Sequence, residues 1–249
     1  MAARDLLKSL GKALGFDIRN RRFSYCCPEE DQQRVVGRDA RVVFDVGANR
    51  GDTLSAYRGL FPEAEIHAFE PTPVLARHLE DRFAKDHSVH VVAAAVGDAS
   101  GTMPLHTTNN ELLNSLLSLR EEQSYYGSHS TETIDVPITP LDDYCGQQGI
   151  TSIDLLKVDV QGAEKMVFDG ASGLLARKAI ASVFCELQFS TLYSGQTPPD
   201  EVLGTLRRAD FDLYGIYDTA RTADGFVDFC NALFVSRAAR SRMDRKQLF

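Results

Sequence analysis

Cysteine is scarce in this 249-residue chain: five residues, at positions 26, 27, 145, 185 and 230, with no Cys-x-x-Cys spacing among them. An odd count without paired spacing argues against a disulfide framework and against a cysteine zinc site. Cys185 and Cys230 fall inside apolar runs, where a thiol packs as a small hydrophobe, so a reducing, cytoplasmic setting is expected. Long apolar runs are missing too, and none approaches the roughly 18 residues of a membrane span. Near the start, Leu6, Leu7, Leu10 and Leu14 are interrupted by Arg4, Lys8 and Lys12. That pattern lacks the unbroken apolar core and cleavage site of a secretory leader. The four leucines share one helical face, expected to pack on the domain or on a second copy in a homodimer. Positive charge is also short. The net charge of −8 gives no global attraction to nucleic acid, so no nucleic-acid partner is expected. Basic residues gather only at Arg19–Arg22 and from Arg237 to Lys246, and read as solvated termini. No internal repeat and no low-complexity segment is present.

What remains is an ordinary globular composition, 43% hydrophobic and 25% charged, on a chain long enough for one α/β domain with decoration. Residues 1–38 read as an N-terminal helical extension, 39–236 as the domain and 237–249 as a basic tail. From Arg41 onward, short and almost wholly apolar runs at 41–47, 65–70, 89–96, 153–159 and 181–187 predict strands buried on both faces. Helical patterns lie between them at 52–60, 73–85, 163–169 and 199–209. The order predicts a doubly wound, mostly parallel sheet with helices on both faces. Residues 98–150 are too many for a simple connection. They read as a substrate-facing insertion, with strands at 101–107 and 133–138 around a leucine-rich piece at 111–119. At the other end, 211–217 and 226–235 flank Asp224-Gly225 without an intervening helix, an antiparallel hairpin. A parallel sheet finished this way is characteristic of class I methyltransferases.

The most informative stretch is Arg41-Val-Val-Phe-Asp-Val-Gly-Ala-Asn-Arg-Gly-Asp52. A strand ends in Asp45, turns through Gly47 and Gly51, and enters a helix whose free N–H groups favour an anion. The second strand ends in Glu70, an acid placed to accept from a ribose diol, and Pro71 keeps it extended. Together these predict a nucleoside-type cofactor site. The turn is G-x-N-x-G rather than the G-x-G-x-x-G of dinucleotide sites, and no Tyr-x-x-x-Lys occurs. An NAD-type oxidoreductase is therefore the weaker alternative, beside a non-catalytic module of the same fold. Asp98 either meets the adenine edge or opens the turn Asp98-Ala-Ser-Gly101. At the fourth strand, Lys157, Asp159, Gln161 and Glu164 crowd the carboxyl end, with Glu186 from the fifth nearby. Asp159 is the expected base or orienting group with Glu186 in reserve; Glu164 reads equally as a helix-start acid and Lys157 as the charge partner of Asp159. Among six histidines, His106 and His129 lie in the insertion and read either as acceptor contacts or as surface residues. The spacing offers no dedicated metal loop, and no metal is expected.

Phe44-Asp-Val-Gly-Ala-Asn-Arg-Gly-Asp52, Phe69-Glu-Pro71, Ala95-Val-Gly-Asp98, Asn114-Ser-Leu116 and Leu156-Lys-Val-Asp-Val-Gln-Gly-Ala-Glu164 together resemble the FkbM-type methyltransferase family, from about Arg41 to Val235. The resemblance implies a Rossmann-like fold, S-adenosyl-L-methionine as cofactor and methyl transfer to oxygen, on a hydroxyl of a sugar, glycan or secondary metabolite. Carried over by position, it implies cofactor roles for Asp45, Gly47, Asn49, Gly51, Glu70 and Asp98. It implies active-site roles for Asp159 and Glu164 and a substrate role for Ser115; Gln161 and His106 are further candidates for substrate contact.

Overall fold

The computed structural model describes residues 27–120 and 127–241. The leucine face at 6–14, the basic cluster at 19–22 and the tail beyond 241 lie outside the described residues.

Helix α1 (Pro28–Val36) precedes the alternating part of the chain, β1 (Val42–Val46), α2 (Asp52–Leu60), β2 (Glu65–Phe69), α3 (Pro73–Phe83) and β3 (Val89–Val92). Next come β4 (Ala95–Val96), β5 (Gly101–Thr108), a 3-10 turn (Glu111–Leu113) and β6 (Ser130–Thr139). After α4 (Leu141–Gln148) and β7 (Ile153–Val158) follow α5 (Glu164–Asp169), α6 (Ser172–Ala176) and β8 (Ile180–Gln188). The chain finishes with α7 (Pro199–Arg208), β9 (Phe211–Tyr217), β10 (Phe229–Ser236) and α8 (Arg237–Arg240).

Seven strands form the main sheet in the order β3-β2-β1-β7-β8-β10-β9, and only β10 runs antiparallel to its neighbours. The order reverses between β1 and β7, which opens a crevice at the carboxyl ends of those strands, where open α/β sheets bind ligands. Alternation along β1 divides the core. Phe44 and Val46 join one buried cluster with Val158 and Val183, and Val43 joins the other with Leu54 and Ile66. The predicted helices at 52–60 and 199–209 are present, each within a residue of its expected bounds, and so is the C-terminal hairpin, whose second strand begins at Phe229, three residues later than expected.

Two departures have physical causes. The single strand expected at 89–96 is divided: Ala94 N–H donates to Val92 O at 2.8 Å, and the chain leaves the main sheet there. β4 then pairs with β6 in a separate three-stranded sheet, β4-β6-β5, which carries the insertion. Within the expected N-terminal extension, the polar run after Cys27 forms α1, which is docked on the domain with Asp31 and Gln32 only 5% and 3% exposed. Tyr217 donates to Asp31 at 3.0 Å and Tyr57 to Gln32 at 2.8 Å, so each buried polar group has a partner. The start of the basic tail is likewise tied down, with Arg237 and Arg240 ion-paired to Asp210 and Asp212.

Candidate active site

A cavity of about 520 Å³ opens at the strand reversal. Gly47, Asn49, Glu70, Asp159, Gln161, Glu186 and Ser115 line it among others, so seven of the thirteen expected site residues converge there. The glycine turn forms one wall. Gly47 has φ +85°, and a Cβ on it would lie 1.9 Å from the Asp159 carbonyl oxygen, which no side chain permits. Asn49, itself left-handed at φ 48°, donates its backbone N–H to Glu70 Oε2 at 2.9 Å. Thr72 N–H holds the other Glu70 oxygen at 2.8 Å. Burial pushes the Glu70 pKa up, and the Thr72 and Asn49 donors oppose that rise. Its carboxylate is thereby fixed at the cavity wall with acceptor capacity to spare.

Across the cavity, Asp159 and Glu186 are bridged by one side chain. Gln161 Nε2 donates to Asp159 Oδ1 at 2.9 Å and to Glu186 Oε2 at 3.0 Å. Its Oε1 accepts from the Tyr193 hydroxyl at 3.1 Å, and its carbonyl accepts from Ser115 Oγ at 2.8 Å. Both amide hydrogens and both acceptor oxygens are therefore engaged. Burial, then the neighbouring Asp159 and Glu164, push the Glu186 pKa well above the usual carboxylate range. Lys157 Nζ stands 3.6 Å from Asp159, so Asp159 is the member of the pair with a cation beside it.

Six expected residues sit elsewhere. Asp45 does not reach the cavity: the β1–β7 register sets it directly opposite Lys157, beneath the glycine turn. Asp45 is fully buried, and its Oδ1 lies 3.0 Å from Lys157 Nζ. That contact is a charge pair rather than an aligned hydrogen bond, since neither Asp45 oxygen accepts one. Burial raises the Asp45 pKa against the pull of Lys157. For Lys157 burial works the other way, but Asp45 and Asp159 outweigh it and hold the ammonium charged. Lys157 also donates to Gly47 O at 2.8 Å, fastening the turn from below. Gly51 faces α3, where a Cβ would meet Leu79 Cδ2 at 2.6 Å, so it serves packing and the helix start. Asp98 is exposed on its turn, and the wall near it is the apolar run Ala94, Ala95 and Val96. Glu164 is buried behind the cavity and accepts from Gly162 N–H at 3.1 Å. The His106 ring pairs with Thr133 on the small sheet instead of the cavity.

The insertion completes the enclosure. The 3-10 turn brings Glu111, Leu112 and Leu113 to the cavity. The Arg50–Glu111 ion pair and a 3.4 Å bond from Asn49 Nδ2 to Glu111 O tie it to the glycine turn. Ser115, buried at 3%, latches it to the end of β7. Tyr193, Leu192 and Phe229 are cavity or bridge residues that the sequence did not single out. They come from after β8, from segments without a motif, and only the fold returns them to the site.

Strand order, the glycine cradle and an acid at the tip of β2 define a class I, S-adenosylmethionine-dependent methyltransferase. The methyltransferase FkbM domain matches residues 45–213, and the chain belongs to that family. This assignment sets aside the dinucleotide and binding-only alternatives. Among relatives, the chain is 28% identical over 173 residues to the 2-O-methyltransferase NoeI of Sinorhizobium fredii, covering 66% of this chain and 70% of that protein. It is 29% identical over 164 residues to the 31-O-demethyl-FK506 methyltransferase FkbM of Streptomyces tacrolimicus, covering 53% and 60%. Among solved structures, Aeropyrum pernix fibrillarin with bound S-adenosyl-L-methionine aligns at 12% identity and TM-score 0.46, over 80% of this chain and 68% of that one. No helix among the described residues is long and apolar enough to cross a membrane.

Proposed function

We propose that this protein transfers a methyl group to a hydroxyl oxygen of a sugar, glycan or other hydroxylated small molecule. The observation that carries the reading is the Gln161-bridged pair Asp159 and Glu186, which opens into the same cavity as Glu70. Two relatives, the 2-O-methyltransferase NoeI and the 31-O-demethyl-FK506 methyltransferase FkbM, are both described as acting at oxygen.

When bound, S-adenosylmethionine supplies a methyl group already activated on sulfur. Gly47 admits the ligand to the backbone, Glu70 accepts from the ribose diol, and the apolar Ala94–Val96 wall suits a flat base. The protein's remaining work is to aim an acceptor oxygen and take its proton. Asp159 has one oxygen pinned by Gln161 and the other facing Lys157, so the carboxylate is held in one orientation toward the cavity. A hydroxyl arriving against it is oriented by the hydrogen bond it donates. Leu113, Leu192 and Phe229 exclude water around that oxygen, while Asn110, Asn114 and Gln188 offer polar contacts to further hydroxyls.

The test is transfer of labelled methyl from S-adenosylmethionine to a panel of glycosides and polyhydroxylated metabolites, with RNA as a control expected to remain unlabelled. Asp159→Asn should lower kcat by roughly 10²–10⁴ while binding of S-adenosylhomocysteine stays within about twofold. Near-normal turnover of that variant, or label recovered on nitrogen or carbon, would refute the proposal.

A further inference from the structure

A second cluster lies on the main sheet, apart from the methyl-transfer cavity. Glu65 and His67 are two residues apart on β2 and so share a face. His90 of β3 is in direct register with His67. One ring nitrogen from each histidine and one Glu65 oxygen lie within 4.8 Å of one another. Glu65 and His90 are exposed and already face each other, with Nε2 and Oε2 3.9 Å apart.

His67 is the distinctive member. It is 4% exposed, and its Nδ1 lies 2.8 Å from the Tyr144 hydroxyl. Its Nε2 is buried with no hydrogen-bond partner, the sole such nitrogen among the described side chains. Buried polar atoms are nearly always satisfied, so an orphan of this kind calls for a ligand. With Nδ1–H donated to Tyr144, the Nε2 lone pair is left free to coordinate.

We propose that Glu65, His67 and His90 bind a divalent transition-metal ion of the zinc class. Two imidazoles and one carboxylate, with a fourth position for water, match the donor preferences of Zn²⁺, whereas Ca²⁺ and Mg²⁺ take all-oxygen sets. Tyr144 then acts as the outer contact that fixes the tautomer and orientation of a metal-bound histidine. The two rings now stack at 4.7 Å and 19°. The exposed His90 turns about its side-chain torsions to share an ion instead. The ion fastens β3, one of the two edge strands of the main sheet, to β2, at the end of β2 remote from Glu70.

Tag-free, chelator-treated protein is titrated with Co²⁺. One equivalent should give the visible absorption of a low-coordinate site, displaced by Zn²⁺, and Zn²⁺ should raise the Tm. Variants are placed at the exposed ligands because His67 is packed in the core. His90→Ala and Glu65→Gln should each lose the absorption and the Tm shift, with S-adenosylhomocysteine affinity unchanged. Tyr144→Phe should weaken Co²⁺ about 10- to 100-fold. Absence of saturable Co²⁺ uptake by the wild type, or unchanged uptake by the His90→Ala/Glu65→Gln double variant, would overturn the proposal.

Discussion

Glu164 shows how burial changes what a residue does. Its position at the first residue of α5 suits an acid at a helix start, yet it is 2% exposed. Burial pushes its pKa from an ordinary 4.5 up to about 7, with the donated Gly162 N–H only partly opposing. The folded protein therefore holds this proton more tightly than the unfolded chain. The stabilisation is complete below pH 4.5 and disappears as pH rises through 7, a swing of about 3 kcal/mol. Glu164→Gln keeps an acceptor for Gly162 and removes the titration. Denaturant unfolding at pH 4.5 and pH 8 should show the variant losing about 3 kcal/mol less than wild type across that interval. Parallel pH dependences would contradict the burial argument. Asp45 and Lys157 belong to the same scale. Their register made them partners, and Lys157 Nζ also donates to Gly47 O beneath the turn.

At the level of elements, two contacts hold the insertion over the cavity, and their energies differ. Arg50–Glu111 joins an exposed and a half-buried side chain, 59% and 31% accessible, and such solvent-reached pairs contribute about 0–1 kcal/mol. Ser115 is buried, donating to Gln161 O and accepting from Leu117 N–H at 3.0 Å. Its removal strands two half-buried backbone groups, at about 1–3 kcal/mol. Ser115→Ala should thus lower stability by that amount and cut kcat with acceptor KM raised, while Glu111→Ala stays within about 1 kcal/mol of wild type. Denaturant melts of both variants check this, and equal losses would mean the buried latch is not the stronger one.

These elements also show what could be read in advance. Helix α2 was legible because Gly51 marks its start and apolar spacing its length. The split between β3 and β4 was not, because Ala93-Ala94 carries no turn signal and apolar character runs straight through. The pairing of β4 with β6, from the far side of the insertion, decides it. The docking of α1 on the domain was hidden for the opposite reason. Its buried Asp31 looks like surface until Tyr217, 186 residues away, satisfies it.

Over the whole molecule, the doubly wound, mostly parallel sheet with its closing hairpin and the acids at strand ends were legible because both follow from local patterns repeated along the chain. Which acids face the cavity was not. Asp45 and Asp159 both close apolar strands, yet alternation and register send the first under the turn and the second into the cavity. Methyl transfer by this fold rests on one arrangement, a cofactor held between the Gly47 turn and Glu70. Isothermal titration of the purified chain with S-adenosylhomocysteine tests it most directly. One ligand per chain should bind, and Glu70→Ala, shown folded by its melt, should bind about ten- to a hundredfold more weakly. No binding by the wild type, or equal binding by Glu70→Ala, would contradict it.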